Sequence, residues 1–291
     1  QGTGVVAVAA ILAATRRTNV PLQEQRIIIF GAGTAGMGIA ELIHKMLVRM
    51  GMTDADANRC FWLLDSSGLI SDHVADSHPN HTQYLRSADE LADWDIENLQ
   101  HIELFDVVRH VKPTVLIGSS TVQGAFNEAI IKEMAKHVEQ PIIFPLSNPT
   151  ERSEATPADL LKWTNGNALI ATGSPFDPVD YDGNTIVISQ CNNFLAFPGL
   201  GLGILAVNAT SVCDNMLWAA SEALSEYTKF QPHTLLPTIS QATDASRQVA
   251  IAVAKAAIKA GLAEKDPNLS VEQRVDNTRW EPHYLPYRLV D

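Results

Sequence analysis

Residues 26–47 read RIIIFGAGTAGMGIAELIHKML: a β-branched apolar run, three glycines, then an amphipathic pattern. The succession of strand, glycine turn and helix decides the fold, because each glycine of GAGTAG meets a separate backbone demand. Gly31 permits a tight turn out of the strand, Gly33 lets a pyrophosphate approach the main chain, and Gly36 lets helix and strand pack closely. Amide N–H groups at the helix start, through Thr34 and Ala35, then face the phosphates with the helix dipole behind them. The motif is weak in isolation and gains weight from its place between two strands.

The second strand is CFWLLD, residues 60–65, and it ends on Asp65. A carboxylate there can accept hydrogen bonds from the adenosine ribose hydroxyls; the alternative is an Asp that caps a turn. Ser66, Ser67 and Gly68 follow, with no Arg or Lys to receive a 2′-phosphate, which favours NAD over NADP. Asp65 lies further from Gly36 than is usual, and TDADANRC (53–60) looks like a small insertion.

Outward from this unit, TVLIG (114–118), PIIFPLS (141–147), ALIAT (168–172) and TIVIS (185–189) read as further strands. Helices are predicted over 34–50, 103–111, 127–138 and 156–164, the last with Thr156 as N-cap and Pro157 in the first helical position. The opening VVAVAAILAATRR also carries helical spacing. Short apolar strands alternating with helices predict an α/β fold, a Rossmann-like doubly wound parallel sheet. After about residue 195 only helical patterns remain, so the expected organisation has three parts. These are a nucleotide-binding domain over 1–194, an all-helical segment over 195–265 and a tail over 266–291.

Composition narrows the function. The chain has 291 residues, 46% hydrophobic, with a formal net charge of −12. That balance argues against nucleic acid or an anionic membrane as partner, yet it leaves room for a phosphate held at a helix N-terminus. No apolar run is long enough for a membrane span. Cys60, Cys191 and Cys213 are widely spaced and odd in number, which fits reduced thiols and a cytoplasmic setting. His73, His78 and His81 read as a solvated loop, and Cys191 as a small buried residue, since nothing basic stands beside it. No HExxH, GxSxG or P-loop motif is present.

SNP (147–149) follows an apolar strand, so Ser147 and Asn148 stand at a carboxyl strand end, where open α/β sheets bind ligands. Asn148 offers both donor and acceptor, although it could equally hold a turn before Pro149. Asn192 and Asn193 lie between two apolar stretches, where adjacent amides require partners. GAGTAGMGIA (31–40), KPTVLIG (112–118), the long block from Pro145 to Val179, and QCNNFLAFPGLGLG (190–203) together resemble the malic enzymes, most nearly the bacterial NAD-linked type. The likeness runs over roughly residues 1–260, and the opening QGT is similar to the end of that family's D-I-Q-G-T segment.

The resemblance implies NAD as cofactor, and L-malate oxidatively decarboxylated to pyruvate and carbon dioxide. It implies cofactor contacts at Gly31, Gly33, Thr34, Ala35, Gly36, Asp65, Ser119, Ser120 and Asn148, and malate contacts at Asn148, Asn192 and Asn193. One departure is SSTVQGAFNE (119–128), where Asn127 replaces the family's Thr. The family's proton-transferring Lys and Tyr, and the ligands of its divalent metal (Mg or Mn), are expected upstream of Gln1. No catalytic or metal-binding residue is therefore expected in this chain, which alone should bind NAD without turning over malate. The helical segment is expected to pack on a substrate domain, and the whole to form a homo-oligomer. Malolactic conversion with NAD retained, and a non-catalytic nucleotide sensor, are the competing readings.

Overall fold

The computed structural model describes residues 2–77, 82–228, 234–280 and 284; His78 and His81 fall outside this set. In chain order the elements are α1 (Gly2–Thr18), β1 (Ile27–Phe30), α2 (Thr34–Arg49), α3 (Asp54–Arg59), β2 (Phe61–Asp65), β3 (Gly68–Leu69), α4 (Ala88–Leu91), α5 (Leu104–Val111), β4 (Val115–Gly118), α6 (Glu128–Ala135), β5 (Ile142–Pro145), α7 (Pro157–Trp163), β6 (Leu169–Thr172), β7 (Val179–Tyr181), β8 (Asn184–Ile186), β9 (Ser189–Gln190), α8 (Phe197–Ala206), α9 (Asp214–Tyr227), α10 (Ala242–Lys259) and α11 (Val271–Thr278).

Seven strands form the main sheet in the order β3-β2-β1-β4-β5-β6-β9. All neighbours are parallel except β3, which runs antiparallel to β2. Because both faces are covered, the strands read as continuous apolar runs and alternation cannot set their register. The ends of the strands set it instead: Phe30 is level with Leu64 and Gly118, and Gly118 with Pro145. The residues that follow those strands therefore emerge along a single carboxyl edge.

Two cores flank the sheet. Ile27, Ile29, Phe61, Leu63, Val115 and Ile117 point into one with α1, α2 and α8–α10. Ile28, Trp62, Leu64, Leu116 and Ile143 point into the other with α5, α6 and α7. Most are fully buried, at about 1.5–3 kcal/mol of hydrophobic stabilisation per side chain. The first core is continuous from α1 to α10, so the apolar faces of the C-terminal helices are covered largely within the chain. Close approach makes this possible: Gly199 and Gly203 of α8 have α10 where a Cβ would otherwise stand. Polar ties fix α1 to α9, with Ser221 Oγ donating to the Val5 carbonyl at 3.0 Å and Arg16 donating to Ser225 Oγ at 2.6 Å.

Local signals explain most element boundaries. Thr156 Oγ1 accepts from the Asp159 amide with Pro157 following, and Gly261 at φ +72° succeeds the last helical residues of α10. The suspected insertion is a real helix, α3, capped by Thr53. Three features differ from the sequence expectation. TIVIS is not one sheet strand: Asn184–Ile186 pairs with Val179–Tyr181 in a separate hairpin, and only Ser189–Gln190 joins the main sheet. Asp182 and Gly183, both at positive φ, supply the tight turn that strand twist favours. The two-residue β3 is too short for a periodicity to reveal. Finally, α11 lies within the stretch read as tail, with Ser270 and Gln273 forming a reciprocal capping box.

Candidate functional site at the carboxyl edge of the sheet

The chain leaves β1 towards β2 on one side, then returns to place β4 on the other. The crevice between the carboxyl ends of β1 and β4 is thus the topological switch point, where open α/β sheets bind ligands. Gly31 and Ser119 face one another across it. Gly31 has φ +110°, and a Cβ there would overlap the Ser119 carbonyl group. A Cβ on Gly36 would fall on the Gly31 carbonyl oxygen and lie 2.8 Å from Ser119 Oγ. Gly33 is different: nothing lies within 4 Å of its would-be Cβ. It is the N-cap of the 16-residue α2, and Gly33, Thr34 and Ala35 are all exposed. Two glycines are required by the protein's own packing, while the third clears a path to a helix N-terminus. An exposed helix N-terminus of this kind can receive an anionic group.

Asp65 ends β2 beside this turn, since the Gly31 and Ala32 amides both donate to the Leu64 carbonyl. Asp65 Oδ1 accepts from the Ser67 amide at 2.8 Å and from Ser67 Oγ at 2.7 Å. These two bonds make Asp65 the acid that closes the turn at the carboxyl end of β2.

On the other side, the Ser119 amide donates to the Phe30 carbonyl and its Oγ to the Gly31 carbonyl at 2.7 Å. Ser120 engages a residue that sequence reading missed. Glu154, fully buried, accepts from the Ser120 amide at 2.9 Å and Ser120 Oγ at 2.8 Å. It also accepts from Ser147 Oγ at 2.5 Å and the Ser147 amide at 3.3 Å. Ser147 Oγ in turn accepts from the Thr121 amide at 2.8 Å. A buried carboxylate costs several kcal/mol unless its oxygens are satisfied, and here four donors converge on it. In SNPTERSEATP the acid looks like any charge ahead of a helix N-cap; no local signal marks it.

Asn148 is exposed next to Ser147, with Oδ1 accepting from Ser174 Oγ at 2.6 Å and Nδ2 donating to the Leu146 carbonyl at 3.4 Å. Ser174 thus orients the amide. Asn192 spends its oxygen locally, accepting from the Phe194 amide at 3.2 Å as the cap of a short helical turn. Asn193 is exposed, and its Cγ lies 3.2 Å from where a Cβ on Gly2 would stand. The fold therefore gathers Gly31, Gly33, Gly36, Asp65, Ser119, Ser120 and Asn148 along the carboxyl edge. The Asn192–Asn193 pair follows β9 beside the start of α1. Asn127, the departure from the family pattern, is the N-cap of α6, its oxygen accepting from the Ile130 amide at 3.1 Å. Asn is a competent cap, which accounts for the start of α6 at this position.

Cys191 is buried at the end of β9, and burial pushes its thiol up to about 12, which removes it as a nucleophile at neutral pH. Among the described residues, no group of three His, Cys, Asp or Glu side chains is placed to hold a metal ion. No helix among them is long and apolar enough to cross a membrane.

A parallel sheet, a glycine turn at its switch point and an acid closing the second strand define a dinucleotide-binding domain of the doubly wound class. More narrowly, the chain belongs to the malic enzyme family: the model for "Malic enzyme, NAD binding domain" matches residues 1–258. It is 45% identical over 293 aligned residues to NAD-dependent malic enzyme 3 of Bacillus subtilis, covering 100% of this chain and 52% of that protein. It is 44% identical over 291 aligned residues to the NAD-dependent malic enzyme of Aliivibrio fischeri, covering 99% and 52%. The chain thus spans about half the length of the curated relatives it matches. Among solved structures, Entamoeba histolytica malic enzyme superposes with a TM-score of 0.73 at 25% identity, covering 96% of this chain and 51% of that one. The Pyrococcus horikoshii malic enzyme gives 0.71 at 23%, covering 96% and 57%, a likeness of fold.

Proposed function

We propose that this chain binds NAD across the β1/β4 switch point and serves as the cofactor-binding part of an enzyme that oxidatively decarboxylates L-malate to pyruvate and carbon dioxide. The observation that carries the proposal is the contrast among the three glycines, with Gly33 alone left open above the N-terminus of α2. In this reading the amides of Gly33, Thr34 and Ala35 hold the diphosphate, and Asp65 accepts from the adenosine ribose. Ser119 and Ser120 line the crevice, and Asn148, oriented by Ser174, meets the nicotinamide end and the malate. Asn192 and Asn193 complete the malate pocket from beyond β9. Bound NAD would supply the hydride acceptor for C2 of malate. The divalent metal implied by the family resemblance finds no donor set among the described residues.

The helical segment after residue 195 still exposes Phe197, Leu205 and Ile239, at 54%, 66% and 72%. Those apolar side chains support its packing on a substrate domain. Isotope-edited NMR titration of the purified chain with NAD tests the central claim: shifts at Gly33, Thr34, Ala35 and Asp65 are expected, and a silent titration overturns it. Malate-dependent NADH production by the same chain would overturn the expectation that these residues bind without turnover.

A further inference from the structure

Glu154 holds both loops that border the crevice beyond β1. Its Oε1 accepts from the Ser120 amide, Ser120 Oγ and Ser147 Oγ, and its Oε2 from the Ser147 amide. Its own backbone takes part, with the Glu154 carbonyl accepting from the Phe126 amide at 3.0 Å. Gly118, the last residue of β4, is shaped around the same carboxylate, because a Cβ there would come within 2.7 Å of Glu154 Cγ and Oε2. An ionised carboxylate is an acceptor at every lone pair, so it can join donors from two strands without presenting any of them with a competing N–H or O–H.

We infer that Glu154 is a positioning residue for the nicotinamide half of the cofactor site. It locks the Ser119–Thr121 turn after β4 to Ser147–Asn148 after β5, so that Asn148 and Ser120 are presented as one rigid unit. This rests on the reading of the crevice as an NAD site. The adenine half, built on Gly33 and Asp65, has its own supports at Leu64 and Ser67 and does not depend on the carboxylate. Loss of the charge should therefore divide the site: the nicotinamide end loosens while the diphosphate and adenosine end stays as it was. Glu154→Gln is close to isosteric, but an amide N–H₂ in place of Oε2 meets the Ser147 N–H donor head-on.

The test is calorimetric titration of the purified chain with NAD and, separately, with ADP, which lacks the nicotinamide riboside. The wild type should bind both. E154Q should bind NAD about tenfold more weakly, the scale of one lost hydrogen bond at a charged acceptor, and ADP within about twofold of wild type. Gly118→Ala, which displaces the carboxylate without altering it, should reproduce the split. Should E154Q not fold, Ser147→Ala is the milder probe, since it removes only the hydroxyl that joins Glu154 to Thr121, and it too should weaken NAD selectively. NAD affinity unchanged in these variants, or NAD and ADP weakened equally, overturns the positioning role while leaving the dinucleotide site intact. Wild-type chain that binds neither nucleotide overturns the site itself, and the positioning role with it.

Discussion

Ser147 Oγ stands 2.5 Å from Glu154 Oε1, a charge-assisted hydrogen bond between the end of β5 and a buried acid seven residues later. The short loop between them is thereby folded back under the sheet edge, and the same acid reaches across to Ser120 after β4. Truncation to Glu154→Ala would leave the buried Ser147 amide and the part-buried Ser120 amide without their acceptor. At roughly 1–3 kcal/mol for each stranded donor, a loss of about 2–6 kcal/mol is expected in urea unfolding. A loss under about 1 kcal/mol would mean that water replaces the carboxylate freely.

The three glycines of the turn should respond differently to alanine. Gly31→Ala and Gly36→Ala each drive a methyl into backbone and should destabilise by about 1–3 kcal/mol, with Gly31→Ala also strained by its positive φ. Gly33→Ala meets open space and should change stability by less than about 0.5 kcal/mol, yet weaken NAD binding. Thermal melting with a parallel NADH fluorescence titration separates the cases; retained binding in the Gly33 variant would contradict the diphosphate cradle.

At the start of α6, Asn127→Thr should be nearly neutral and Asn127→Ala should cost about 1 kcal/mol, because only the alanine strands the Ile130 amide. Neither should change NAD affinity. Equal stability of the two variants would show that the cap contributes nothing.

Acid should release α11 before it unfolds the sheet. Arg247 grips Asp276 through two bonds of 2.6 and 2.7 Å, and Lys255 pairs with Glu272 at 2.6 Å, which holds both carboxyls below their usual range. For carboxylates lowered in the folded chain, the stabilisation is present above the ordinary pKa and lost as pH falls through the lowered one. Hydrogen exchange should therefore quicken in α11 as pH drops below the ordinary values of 3.8 for Asp and 4.5 for Glu, ahead of β1 and β4, after correction for the intrinsic pH dependence of exchange. High salt at neutral pH should produce a weaker version of the same effect, since these pairs are exposed. Simultaneous loss of α11 and the sheet would refute the ordering.

Thiol reagents should separate the cysteines. With its thiol raised to about 12 by burial, Cys191 carries almost no thiolate at pH 8 and should react only on unfolding. Cys213 is only partly buried and should be labelled first. Rapid labelling of Cys191 in the native chain would show that the end of β9 opens readily.

Much of this fold is written locally. RIIIF before GAGTAG, CFWLLD ending on Asp65, and TPADLLKWT with its own cap each specify an element through periodicity, glycine placement or a side-chain cap, and such signals act within a few residues. The same locality explains where structure and sequence expectation part. TIVIS reads as one strand because its apolar run masks the break between Ile186 and Ser189, and α11 escapes notice because its capping box stands in a polar stretch with little apolar periodicity.

Sequence alone therefore determined the class of fold, the glycine turn with its acid, and the likeness that names the family. Only the tertiary structure decided which glycine of the turn is left open and which acid binds the two crevice loops together. The reason is physical: the space a Cβ on Gly31 would need is taken by Ser119, a residue more than eighty positions away, and Glu154 draws its donors from the loops after two neighbouring strands. A parallel sheet joins residues distant in the chain, and no local pattern records whose backbone will stand opposite.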